Sequence, residues 1–173
     1  MSASWATDHI REIKDYPVPG VAFRDITPLL GNPAAFGRAV DELVSRFHDV
    51  EVDRVVGVES RGFIIAAPVA YRLRAGFVPV RKAGKLPWAV AREEYELEYG
   101  TDRLEIHRDA VHPDERILVV DDVLATGGTA AATCALVEGL GGVVVGLGFM
   151  IELEGLQGRA RLGDRRTESL IGY

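Results

Sequence analysis

The segment Ile117-Leu118-Val119-Val120-Asp121-Asp122-Val123-Leu124-Ala125-Thr126-Gly127-Gly128-Thr129 constrains the fold more than any other stretch of the chain. Its apolar start predicts a strand buried on both faces. A loop of small residues follows, and then an apolar helix from about Thr129 to Leu140, stopped by Gly141-Gly142. A strand apolar on both faces needs cover on both sides. That need predicts a mainly parallel sheet flanked by helices, an α/β fold. Asp121 and Asp122 are expected at the C-terminal end of this strand, the end at which ligands bind in such folds.

The rest of the chain repeats the pattern. Arg54–Val58, Phe77–Val80 and Val143–Ile151 read as strands, and Phe63–Leu73 as an apolar helix. Asn32 followed by Pro33 is a helix start, with Phe36, Val40, Leu43, Val44 and Phe47 on one face. Residues 5–14 are expected to form a short helix before Pro17, Pro19 and Gly20 break the chain. Residues 94–108 alternate in character around Gly100-Thr101-Asp102, which predicts a hairpin lying over the sheet's end as a flap.

A chain of 173 residues with 47% hydrophobic and 27% charged residues suits one domain, expected to span 1–173. The net charge of -6 argues against a general nucleic-acid binder. One cysteine, Cys134, allows no internal disulfide, and its apolar surroundings suggest a small buried residue. The start of the chain lacks a basic stretch followed by an apolar one, and no apolar run approaches membrane-spanning length. A cytoplasmic protein without membrane attachment is therefore expected.

Four segments carry candidate chemistry. Ala125, Thr126, Gly127, Gly128 and Thr129 can turn sharply, gather backbone N–H groups at a helix start and add hydroxyl donors. That suits a phosphate monoester. Asp121 and Asp122 could then accept hydrogen bonds from a sugar diol. The loop lacks the Gly-Lys-Ser/Thr of a nucleoside triphosphate site, so a ribose phosphate is the better fit. Glu59-Ser60-Arg61-Gly62 is a second turn between a strand and a helix, where Arg61 can grip an oxyanion. Arg81, Lys82 and Lys85 cluster beside Gly84, and read alone they also suit a solvated surface turn. Tyr16 to Leu30 is a stiff segment leading to Ala22-Phe23-Arg24, where Phe23 read alone could simply be a core aromatic. Glu93, Glu94, Glu96 and Glu98 read alone suit a solvated face of the hairpin.

In this order and spacing the segments resemble the type I phosphoribosyltransferases, and among them the adenine-specific members, from about Tyr16 to Leu162. The resemblance implies the fold of that family, with a flexible hood hairpin, covering about residues 82–108 with its loop, and an N-terminal base-recognition segment over about 16–30. It implies purine salvage: transfer of the 5-phosphoribosyl group from phosphoribosyl pyrophosphate to adenine, giving AMP and pyrophosphate. By the same resemblance Asp121, Asp122 and Ala125–Thr129 hold the ribose 5-phosphate, while Ser60, Arg61, Arg81, Lys82 and Lys85 hold the pyrophosphate. It further implies a cis peptide at Glu59–Ser60, stacking of Phe23 on the purine, and reading of the base edge by the Ala22 carbonyl and Arg24 N–H. Glu98 is implied near the purine N7 and Tyr99 near the reacting centre, with Arg61 the third catalytic residue. A magnesium ion held mostly by substrate oxygens, with no dedicated protein ligands, and a homodimer with Arg81 reaching the neighbouring site complete the implications. Trp88-Ala89-Val90 departs from many relatives. Two rivals remain. One is a phosphoribosyltransferase for another base. The other is a non-catalytic regulator that binds phosphoribosyl pyrophosphate.

Overall fold

The computed structural model describes residues 4–96 and 101–173. Helix α1 (Ser4–Thr7) leads to strands β1 (Arg11–Lys14) and β2 (Ala22–Asp25), then helices α2 (Thr27–Gly31) and α3 (Pro33–Ser45). Next come β3 (Arg54–Val58), α4 (Arg61–Leu73) and β4 (Gly76–Lys82). The hairpin strands are β5 (Val90–Glu96) and β6 (Thr101–His107). After them run β7 (Arg116–Leu124), α5 (Gly128–Gly139), β8 (Val143–Glu152), two short 3-10 turns and β9 (Thr167–Gly172).

The main sheet has the order β5-β6-β4-β3-β7-β8-β9, parallel from β4 to β9. Side chains of the central strand alternate between two cores, as the pleat requires. Leu118 and Val120 of β7 pack with the α3 and α4 residues Leu43, Ile65 and Val69. Ile117 and Val119 pack with the α5 residues Cys134, Leu136 and Val137 on the other side. Burial pushes the Cys134 thiol up to about 11, which fits a small core residue rather than a nucleophile. Among the described residues no helix is long and apolar enough to cross a membrane.

The helix expected at 5–14 is corrected. Only Ser4–Thr7 is helical, and Arg11–Lys14 pairs with Ala22–Asp25 as an antiparallel two-stranded sheet. Pairing overrides the local helix preference of Arg, Glu and Lys. The connection is closed by Asp15, whose carboxylate accepts from the Gly20 N–H at 2.7 Å.

The hairpin is also corrected. It is no separate flap: β6 pairs with β4 through Arg81↔Glu105 and Lys82↔Leu104, so the hairpin extends the main sheet. Thr101 and Asp102 lie in β6, facing Glu96 and Tyr95, and not in the turn. Leu104 and Ile106 supply the buried side that drives this docking.

Strand β3 leads through α4 to β4 on one side, whereas β7 leads through α5 to β8 on the other. The segments following β3 and β7 therefore part. A crevice opens between them, which is the usual ligand position in open parallel sheets.

Candidate active site

The crevice is an open cavity of about 380 Å³. Val58, Glu59, Ser60 and Arg61 form one wall, and Asp121, Asp122 and Thr129 another. Lys82, Tyr95, Asp102 and Leu104 close it from the hairpin side. A smaller cradle of about 80 Å³ lies beside it, lined by Asp121 and residues 123–130.

The cradle is built by backbone. Gly127 precedes α5 at φ +82, a left-handed conformation that favours glycine, and no side chain caps the helix. The N–H groups of the first turn are thus without helix partners, and the dipole favours an anion. A Cβ on Gly127 would strike the Gly158 carbonyl, and one on Gly158 would strike the Ala125 carbonyl. The loop is thereby packed against the second 3-10 turn, Gly158–Arg161. Gly158 was not singled out in the sequence, because its contact is long-range.

The two aspartates stand in the C-terminal part of β7, as expected, and the strand runs two residues past them. Pairing continues through Val123↔Ile151 and Leu124↔Glu152, which carries β7 past them. Both side chains are buried. The Asp121 Oδ1 accepts from the Asp122 N–H at 2.8 Å and abuts Gly62, where a Cβ would strike it. Burial, and next the neighbouring Asp122 charge, push the Asp121 carboxyl well above the usual carboxylate range. Asp122 accepts from Arg61 Nε at 2.5 Å. Among the described residues Asp122 is thus ion-paired and Asp121 is not.

The Glu59–Ser60 peptide bond is cis, as the resemblance implied. Glu59 ties this turn to the basic segment, since its carboxylate accepts from Arg81 Nε at 3.1 Å and the Lys82 N–H at 3.0 Å. Arg81 also donates to the Lys85 carbonyl at 3.2 Å. Ser60, Arg61 and Lys82 line the cavity. Arg81 and Lys85 are not among the residues that line it.

Lys82 Nζ lies 3.1 Å from Asp102 Oδ2, and this bond raises the lysine's pKa. Burial opposes ionisation of Asp102, but the Arg103 N–H and Lys82 together hold its carboxyl below its ordinary value. Burial raises the Tyr95 hydroxyl, against a hydrogen bond with the Thr129 side chain. Tyr95 and Asp102 were missed as site residues. Their place depends on the β4–β6 pairing, which leaves no local signal.

The base segment approaches through Phe23. The Arg61 guanidinium carbon lies 5.1 Å from the Phe23 ring centroid, and the Tyr16 ring stands edge-on at 5.2 Å. Ala22 and Arg24 flank Phe23 on β2. In a strand, alternate residues direct their N–H and C=O groups to the same edge. The Ala22 carbonyl and Arg24 N–H therefore form an acceptor–donor pair on one edge. Glu98 and Tyr99 lie outside the described residues. Among the described residues no group of three or more His, Cys, Asp or Glu is placed to hold a metal ion.

Residues 30–167 match the family model of the phosphoribosyl transferase domain. The chain is 57% identical over 164 residues to a Chloroflexus aurantiacus protein named adenine phosphoribosyltransferase, covering 95% of each. The solved adenine phosphoribosyltransferase of Rhodothermus marinus superposes with a TM-score of 0.94 at 50% identity, covering 98% of this chain and 97% of that one. The Saccharomyces cerevisiae enzyme, solved with an imino-altritol bisphosphate and adenine, gives 0.92 at 38% identity and 98% of each chain.

The buried Asp121 carboxyl sets a stability test. Its folded pKa lies above the ordinary 3.8, so the folded state holds more protons than the unfolded one between those values. Stability is therefore lost as pH rises through that interval. Asp121→Asn removes the loss and keeps the acceptor for the Asp122 N–H. We expect a higher Tm than wild type at pH 7, by about 2–4 °C for each kcal/mol regained in a chain of this size. The gap should close near pH 4. Calorimetry at the two pH values checks this, and a variant less stable at pH 7 than at pH 4, relative to wild type, would contradict it.

Proposed function

The chain belongs to the adenine phosphoribosyltransferases of the type I phosphoribosyltransferase family, and we propose that it transfers the 5-phosphoribosyl group from phosphoribosyl pyrophosphate to adenine, giving AMP and pyrophosphate. The observation that carries this reading is Arg61. It joins the acidic pair through Asp122 and the base segment through Phe23, on one cavity wall.

The residues divide the work as follows. The cradle of Ala125–Thr129 takes the 5-phosphate on backbone N–H groups and hydroxyls. Asp121 and Asp122 accept from the ribose hydroxyls. Ser60, Arg61 and Lys82 receive the pyrophosphate, with Arg61 and Lys82 exchanging a carboxylate partner for a phosphate oxygen. Phe23 stacks on the purine, while the Ala22 carbonyl accepts from the adenine amino group and the Arg24 N–H donates to N1. At C1 of the ribose the bond to the pyrophosphate oxygen breaks, its electron pair leaving with pyrophosphate, and a bond to the purine nitrogen forms. The cationic groups stabilise the departing charge, and the walls hold base and sugar in line. By resemblance, Glu98 acts at the purine N7, taking the proton that the base sheds as its bond to C1 forms, and Tyr99 acts at the reacting centre.

Magnesium would arrive with the substrate, held mostly by substrate oxygens and water, with Asp121 and Asp122 facing the ribose hydroxyls beside it. It would supply neutralisation of the pyrophosphate charge.

The protein acts as a homodimer in the cytoplasm. A second copy would cover the apolar strip of α4 and β4, where Ile64, Tyr71 and Phe77 are 44%, 83% and 38% exposed. Such a patch is of the kind that subunit contacts bury. Arg81 would then reach the partner's site.

Three outcomes test these assignments. Adenine should be converted at least ~10²-fold better than hypoxanthine or guanine, because a mismatched edge leaves buried polar groups unpaired; a pyrophosphate-release assay across the bases reads this, and comparable turnover of hypoxanthine would end the edge-reading argument. Glu98→Gln should lower kcat by ~10-fold or more, within the usual range of acid–base help. Glu94→Gln serves as the mild control, and an unchanged single-turnover rate in Glu98→Gln would leave the hairpin as a cover only. Light scattering should give about twice 18.8 kDa, and a fully active monomer would refute the dimer.

A further inference from the structure

The small sheet that carries the base-reading edge is joined to the main body in few places. Among the described residues strands β1 and β2 pair with each other alone, and no backbone ladder joins them to the seven-stranded sheet. Their orientation depends on side chains. Adjacent residues of a strand point to opposite faces. Phe23 points toward Arg61, and Arg24 points the other way, where its guanidinium carbon lies 4.1 Å from the Tyr173 ring centroid. Glu12 of β1 pairs with the same guanidinium.

Tyr173 is itself well fixed. Its N–H donates to the Glu152 carbonyl and its carbonyl accepts from the Glu154 N–H, both at 2.9 Å. Its half-buried ring packs with Trp5, Ile10 and Leu30 against the core of the α3 and α4 face. The ring is therefore a rigid platform belonging to the main body. The cation on it belongs to the strand that must be aimed. A cation over an aromatic face is held more firmly as water is excluded, and the Arg24 side chain is only 20% exposed.

We propose that Tyr173 is a positioning residue for base recognition: its ring holds the Arg24 guanidinium and so fixes the strand edge that reads the adenine. This rests on the assignment of the Ala22 carbonyl and Arg24 N–H to the base. Tyr173 is not among the residues that line the phosphate cradle or the cavity. Loosening its contact tilts β2, misplacing both polar groups together. The groups that hold phosphoribosyl pyrophosphate stand on β4, β7, the start of α4 and the loop into α5; of these, Arg61 meets β2 through Phe23, and the rest belong to the main body.

The test is a steady-state comparison of Tyr173→Leu and Tyr173→Phe with wild type, varying each substrate in turn. Tyr173→Leu removes the aromatic face and keeps an apolar side chain. Its KM for adenine should rise about 3- to 10-fold, the range that loss of one sheltered cation–ring contact gives. Its kcat and its KM for phosphoribosyl pyrophosphate should stay within about twofold. Tyr173→Phe keeps the face and should match wild type on all three. An unchanged adenine KM in Tyr173→Leu overturns the proposal, as does an equal rise for both substrates, or a Tyr173→Phe as impaired as Tyr173→Leu. Should Tyr173→Leu fail to fold, Arg24→Met removes the same contact from the other side. A rise confined to adenine then supports the proposal, and none overturns it. Absence of AMP formation by wild type is a separate result, and counts against the functional assignment rather than against Tyr173.

Discussion

The ion pair between Arg61 and Asp122 is the constraint on which the site depends. Arg61 opens α4 after β3, and Asp122 sits within β7, so the pair spans the crevice where the two strands' connections part. Some ion pairs among the described residues join side chains that are both exposed, such as Arg72 with Asp41 or Arg103 with Glu94. Such pairs contribute about 0–1 kcal/mol. Asp122 is only 11% exposed while Arg61 is 41% exposed. The acid therefore needs its cation, whereas the cation can still meet an incoming anion. The same guanidinium lies against Phe23. One side chain thus relates the sugar wall, the pyrophosphate turn and the base segment.

Several features of the crevice oppose stability. Asp121 is buried beside a second carboxylate, and among the described residues no ion pair holds it. Gly127 adopts a left-handed conformation, and the first turn of α5 has no capping side chain. Each is explained by what the crevice has to bind. An unpaired acid can accept from hydroxyl groups, and uncapped N–H groups can donate to a phosphate. The two apolar layers on either side of β3 and β7 hold these groups in place. The arrangement is local: the unfavourable groups lie at one end of the strands, and the opposite end carries ordinary pairs such as Arg54 with Glu115.

What was legible in the sequence follows from how each element is stabilised. β3, β7, β8 and α5 are mostly buried, so their own apolar runs reveal them. β1, β2 and β9 are short and half polar, and depend on a partner strand that local sequence does not show. The turn of the hairpin was placed on Gly100-Thr101-Asp102, because glycine next to polar residues is a turn signal. Pairing of Tyr95 with Asp102 makes those residues part of a strand instead. The site divides in the same way. Asp121, Asp122, Ser60, Arg61 and the cradle lie in contiguous motifs and were legible. Tyr95, Asp102 and Gly158 reach the site through long-range register, and Tyr173 through a cation–ring contact spanning nearly the whole chain.

The two sheets suggest how specificity for the base is separated from binding of the sugar phosphate. The main sheet supplies the cradle, the acid pair and the basic turn from strands joined by continuous backbone pairing, so these groups keep fixed distances from one another. The base edge lies on a sheet of its own, held through Phe23, Arg24 and the buried Asp25, which accepts from the Thr27 N–H at 2.9 Å and the Thr27 hydroxyl at 2.8 Å. A change in β2 can then alter which base edge is matched while the groups that bind phosphate stay in register. Arg61 is the exception, because it touches both sheets through Phe23 and Asp122. A pyrophosphate that draws Arg61 away from Asp122 acts on a side chain that also flanks the stacking ring. On the proposed assignments, that side chain is the contact shared by the pyrophosphate site and the base site.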